Sequence, residues 1–187
     1  MSNITNRLLA TQTLFGSEEN RQQIATVAAL AALAEFKTRV FTLGLDSELN
    51  KIGDYSTTPI YATQDNYIGL PNRFVGRGKN SNSPNFLNGN LRRSKYYKYG
   101  YKEFRADVGR QNETVDLNLT GSGAFSIQFG LTDEGAAFGF TNRNEADKLK
   151  GNEARFGTTI FEVSQKDRDE ATVAARREIE YLFNQLR

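Results

Sequence analysis

Carboxylates are the only side chains in this sequence grouped closely enough to suggest acid–base chemistry. Asp167, Asp169 and Glu170 form one group and Asp133-Glu134 another. The first group falls in the opening turns of a C-terminal helix, where the helix dipole favours negative charge. The second sits in Thr132-Asp133-Glu134-Gly135, a stretch with good turn chemistry. Both groups therefore have a structural reason to exist. The chain has no histidine and no cysteine, which excludes disulfides, thiolate nucleophiles, Cys/His zinc sites and a His-based triad. Gly76-Arg77-Gly78-Lys79 lacks the Gly-x-x-x-x-Gly-Lys-Ser/Thr spacing of a phosphate loop and has no strand–loop–helix context. The expectation is a non-enzymatic protein with no cofactor, no metal and no catalytic residue.

A second pattern is more informative. Between Asn66 and Lys102 there is no acidic residue, while Arg73, Arg77, Lys79, Arg92, Arg93, Lys95, Lys98 and Lys102 all occur. Tyr96, Tyr97, Tyr99 and Tyr101 are interleaved with the last of them. Cations neutralise phosphates and aromatic faces stack on bases, so the stretch 73–102 could serve a nucleic-acid-binding module through Arg92, Arg93, Lys95, Tyr96 and Tyr97. Arg and Tyr are equally favoured at protein interfaces. The formal charge of +2 is too small to point to nucleic acid by itself. A protein contact is the preferred reading, with Arg73, Phe74, Arg77, Lys79, Arg92, Arg93, Tyr96, Tyr97 and Tyr99 as interface candidates.

These residues must be positioned by a fold that 187 residues and 38% apolar content make large enough for one domain with a hydrophobic core. A mean hydropathy of -0.58 keeps that core modest. No apolar run approaches the roughly 20 residues that cross a bilayer. The N-terminal residues lack a basic segment followed by an apolar one, so no signal peptide, no membrane partner and a soluble chain are expected.

Residues 1–16 read as a polar arm. Residues 17–44 give the clearest helix, with Ser17 as N-cap, Glu18 and Glu19 at the positive dipole end, and Gly44 as the stop. Its segment Ala28–Ala34 is apolar nearly all round and suits close packing. Residues 53–95, rich in Asn, Ser, Gly and Pro, read as an extended loop or arm. Residues 96–110 suggest a short helix entered through aromatics. Alternation at Val115, Leu117 and Leu119, then at Phe125, Ile127 and Phe129, then over Ala136–Phe140, predicts an antiparallel meander. A short polar helix over 143–151 and an extended piece from Phe156 to Val163 follow. Ser164, with Asp167 at the capping-box position, opens a terminal helix striped by Ala171, Ala175, Ile179, Leu182, Phe183 and Leu186. The class is α+β: an antiparallel sheet flanked by a long N-terminal and a C-terminal helix, with a long extended loop.

An ordered series of motifs runs through residues 100–187. Gly100, Tyr101, Phe104 and Arg105 come first, followed by Val115-Asp116-Leu117-Asn118-Leu119-Thr120-Gly121. Phe138-Gly139-Phe140 precedes a short helix, and Arg155-Phe156 and Ile160-Phe161-Glu162-Val163-Ser164 lead into the last helix. The series resembles phage virion-morphogenesis and tail-completion proteins, including the Mu-type morphogenesis family. Two departures stand out: Ser122-Gly123-Ala124 replaces a larger apolar residue, and the 53–95 segment is long. The resemblance implies a virion protein assembled in the host cytoplasm. It would form a homo-oligomeric ring at the head–tail junction and contact portal, neck or tail proteins.

Overall fold

The computed structural model describes residues 3–63, 66, 94–132 and 135–185. Helix α1 (Asn3–Gly16) leads into α2 (Glu18–Thr38), which continues through a π-helical turn, Arg39–Leu43. Ser17 is the N-cap of α2 and its Oγ accepts from the Asn20 N–H at 3.3 Å. Gly44 ends the π turn in the left-handed region (φ 67°), where a Cβ would come within 2.5 Å of the Val115 carbonyl oxygen. Both expected boundaries of this helical segment are thus in place.

The N-terminal stretch is a correction: residues 3–16 form a helix, not an arm. No acidic residue marks its first turn, so its start is locally unsignalled. Tertiary contacts hold it instead. Leu14 is fully buried, and Asn20 Nδ2 and Arg21 Nη1 of α2 donate to the Leu14 and Phe15 carbonyls that α1 leaves open at its end.

Helix α6 (Gln165–Gln185) packs antiparallel along α2. Gln23 Nε2 donates to Glu178 Oε1 at 2.6 Å near one end of the pair, and Lys166 Nζ meets Glu35 Oε1 at 2.5 Å near the other. The alanine-rich segment faces inward here, with Ala29, Ala32 and Leu33 buried. The terminal cap forms as expected and in both directions. Ser164 Oγ accepts from the Asp167 N–H (3.1 Å), and Asp167 Oδ2 accepts from the Ser164 N–H (2.8 Å). Leu186, at the end of the predicted stripe, lies outside the described residues.

The strands form two small antiparallel sheets. In one, β1 (Ile60–Thr63) pairs with β2 (Ser94–Tyr97). The other is the hairpin of β3 (Ile127–Thr132) and β4 (Gly135–Phe140). Helix α3 (Gly100–Asp107) follows β2, the single turn α4 (Ser122–Ser126) precedes β3, and α5 (Arg143–Phe156) follows β4. The larger core gathers Leu33, Phe36, Val40, Phe41, Ile127 and Ile160 under α2 and the hairpin. A smaller one gathers Ala62, Tyr97, Phe104 and Val108.

Three expectations require correction. Val115–Leu119 is irregular, not a strand, with Leu117 at φ 50°. The Asp116 carboxylate accepts from the Asn118 N–H two residues on (2.9 Å), which turns the chain and breaks the alternation. Phe125 lies in the α4 turn, its N–H bonded to the Gly121 carbonyl, and does not share the inward face of Ile127 and Phe129. Of the loop expected over 53–95, residues 64, 65 and 67–93 lie outside the described residues, and its two ends are not free loop. Residues 53–63 are built into the fold through Tyr55 and β1, and β2 begins at Ser94. The piece before α6 is irregular, bent at Thr158 and at Phe161–Glu162, and not a strand. Its Ile160 and Phe161 N–H groups donate to Glu153 Oε1 of α5 at 2.7 and 2.9 Å.

Candidate assembly surface

Arg73, Phe74, Arg77, Lys79, Arg92 and Arg93 lie outside the described residues. The three candidate tyrosines separate. Tyr97 is 1% exposed in the smaller core; its hydroxyl donates to Asp107 Oδ2 at 2.6 Å and its ring meets Phe104 edge-on. It is a packing residue. Tyr96 points the other way, as strand alternation requires, and its ring lies 4.9 Å from that of its cross-strand partner Tyr61. Tyr61 and Tyr96 are 68% and 52% exposed. Tyr99 is also exposed, with Lys98 Nζ 5.5 Å from its ring centre. Tyr61 was not among the sequence candidates, because only the register of β1 on β2 brings it beside Tyr96.

The two leading motifs of the family resemblance meet in space. Arg105 Nη2 donates to Asp116 Oδ1 and Oδ2 (2.9 and 3.1 Å) and to the Asn118 carbonyl (3.2 Å), while its Nε donates to the Gln111 carbonyl (2.7 Å). Tyr55 completes the group. Its hydroxyl donates to Asp116 Oδ1 (2.8 Å) and accepts from the Asp116 N–H (3.1 Å), and its ring lies under the Arg105 guanidinium at 4.4 Å. Burial, together with the bond to Asp116, pushes the Tyr55 hydroxyl up, against the pull of Arg105. Burial also raises Tyr101.

A cavity of about 360 Å³ opens beside this network, lined by Tyr55, Tyr101, Leu119, Lys148, Arg155 and Phe156 among others. The polar groups of Arg105, Asp116 and Tyr55 are turned on one another, and partial burial pushes the ionisation of Tyr55 and Tyr101 to higher pH. The network is a structural clamp between α3 and the loop that follows it.

A second buried pair joins α2 to α6. Arg39 Nη2 donates to Asp167 Oδ2 (3.1 Å) and the Glu162 carbonyl (2.8 Å), and Nη1 donates to the Leu45 carbonyl (3.2 Å). Asp167, one of the carboxylates considered for chemistry, uses its Oδ2 for both capping and pairing, while its buried Oδ1 has no hydrogen-bond partner among the described residues. Asp169 and Glu170 are exposed on the same helix, and Asp133 and Glu134 lie outside the described residues. Among the described residues no three His, Cys, Asp or Glu side chains gather as a metal site. No helix among them is long and apolar enough to cross a membrane.

Several apolar side chains remain exposed. Leu8, Leu9 and Phe15 on α1, Leu30 on α2 and Val173 and Tyr181 on α6 are exposed. So are Leu131 on the hairpin and Phe125, which at 82% is the most exposed large apolar side chain described. Scattered exposed apolar residues are ordinary on a folded protein; here they occur both on the helices and on the hairpin. Composition alone could not find them, because Leu8, Leu30 and Phe125 resemble core residues until the packing is known. No protein-family model, curated protein or solved structure matches the chain.

Proposed function

We propose that this chain is a structural virion subunit of a tailed phage. It acts at the head–tail junction as a joining, neck or tail-completion component that assembles into a ring and contacts adjacent portal, neck or tail proteins. The observation that carries this reading is the exposed apolar side chains of α1, α2, α6 and the α4–hairpin region. The Gly100–Arg105 and Val115–Gly121 motifs, from which the resemblance was drawn, meet around one buried ion pair. Assembly takes place in the host cytoplasm and the product is part of the virion.

The test is solution mass by light scattering, with negative-stain imaging of the protein alone and with purified capsids or tails. Rings, or density on the head–tail junction, are expected. A persistent monomer that binds neither particle would overturn the reading.

A second reading has one observation in its favour. The exposed Tyr61–Tyr96 pair, with Lys98 nearby in sequence, has the chemistry of a base-stacking platform for single-stranded nucleic acid. It requires salt-sensitive binding that Tyr61→Ala and Tyr96→Ala abolish. Absence of binding at low salt removes it.

A further inference from the structure

Helix α5 carries a polar stripe apart from its contact with the core. Its buried residue is Leu149, which belongs to the larger core. Glu145, Lys148, Asn152 and Arg155 succeed one another at spacings of three and four, so they share one side of the helix. All four line the cavity of about 360 Å³ beside the Arg105–Asp116 clamp. Other parts of its wall are apolar, among them Tyr55, Tyr101, Leu119 and Phe156.

The charges around this cavity do not balance. Arg105 is neutralised by Asp116 at 2.9 Å, and Lys148 by Glu145, with Nζ 2.7 Å from Oε1. Arg155 forms no ion pair among the described residues. Its guanidinium lies 5.3 Å from the centre of the Phe156 ring, a contact that occupies none of its N–H donors. One cation is therefore left over at the edge of a partly aromatic cavity.

Size and chemistry then restrict what fits. A void of ~150 Å³ between apolar side chains already takes up benzene, and small-molecule pockets begin at about 300 Å³. The cavity has room for one ring and a head group. A guanidinium left without an acceptor matches a carboxylate or a phosphate, both of which it can hold through two parallel N–H bonds.

We propose that this cavity binds a small organic anion, with a ring-sized apolar body against Tyr55, Tyr101 and Leu119 and one carboxylate or phosphate on Arg155. The virion reading neither requires nor supplies such a site.

Titration of the isotope-labelled full chain, followed by NMR, tests it with four probes. Benzoate or phenyl phosphate saturates a single site and moves the amide signals of residues 119–123 and of α5. Benzyl alcohol lacks the charge and inorganic phosphate lacks the ring, so each binds at least about tenfold more weakly than the better aromatic anion. Arg155 is exposed, so Arg155→Gln keeps the melting temperature while weakening that anion by about tenfold or more. Lys150→Gln removes a cation from the same helix outside the cavity lining and leaves the affinity at the wild-type level. Thr120→Trp, at an exposed position of the lining, fills the cavity with its own ring and abolishes binding. The site is overturned if neither aromatic anion saturates, if the shifts fall away from the cavity, or if Arg155→Gln and Lys150→Gln behave alike. Each of these results leaves the virion reading to its own tests of mass and particle binding.

Discussion

Arg105 and Asp116 form an ion pair closed off from solvent, with Nη2 2.9 Å from Oδ1 and both side chains almost wholly buried. A buried pair is weak evidence of net stabilisation, but losing one member leaves the other charge without compensation. Arg105→Ala or Asp116→Ala is therefore expected to cost about 3–5 kcal/mol in urea unfolding. Replacing both residues together by apolar side chains of similar volume should cost clearly less than the sum. Equal costs for the double and summed single variants would mean that the two residues do not act as a pair.

Gly100 tests the positioning of the same motif. It adopts φ 65°, and a Cβ there would stand 2.4 Å from the Thr58 carbonyl oxygen. Gly100→Ala should destabilise by more than about 1–2 kcal/mol, the usual cost of left-handed backbone before the clash is added. Gly151, in the interior of α5 with nothing within 4 Å, is the contrast. Gly151→Ala should stabilise by about 0.5–1 kcal/mol in the same thermal melts.

The terminal cap gives a graded pair of variants. Ser164→Ala removes one capping bond and should cost about 1 kcal/mol. Asp167→Ala removes the reciprocal bond and also strands the Arg39 guanidinium, so about 3–5 kcal/mol is expected. Similar small losses in both, measured by chemical denaturation, would show that the Arg39 contact contributes little.

Alkaline pH bears on the tyrosine network. Folding raises the pKa of Tyr55 and Tyr101, chiefly through burial, and so suppresses their ionisation. A group raised on folding contributes stability that is complete below its unfolded value, about 10 for tyrosine, and that is lost as pH climbs toward the folded value. Stability should therefore hold through neutral pH and fall above about pH 10. Tyr55→Phe should lower stability near neutrality yet make the alkaline fall shallower. An unchanged alkaline slope in that variant would exclude Tyr55 as its source.

The helices were legible wherever they announce themselves locally. Ser17 and Ser164 are caps with acidic residues after them, and Gly44 is a stop with left-handed geometry, so α2 and α6 could be placed from spacing alone. Helix α1 lacks such signals and exists because Leu14 finds a buried seat and α2 supplies partners for its last carbonyls. Val115–Leu119 shows the opposite failure. Its alternation matches a strand, but the Asp116 carboxylate bonds its own backbone and a distant arginine, and a two-residue pattern contains no trace of that. The candidate surface was legible only in part. Tyr96 and Tyr99 are exposed, Tyr97 is consumed by the smaller core, and Tyr61 and Phe125 owe their significance to strand register and to one short turn.

The antiparallel seating of α6 on α2 has a consequence for synthesis. Arg39 waits for Asp167, a residue 128 positions further along the chain, so the principal helix pair cannot close while that part of the polypeptide is still inside the ribosome. Contacts of such long sequence separation slow folding and leave apolar surface uncovered in the interim. A nascent chain would therefore complete its principal helix pair only after release of its C-terminal part. Truncation before Asp167 should yield a chain that collapses without the cooperative melt of the full-length protein.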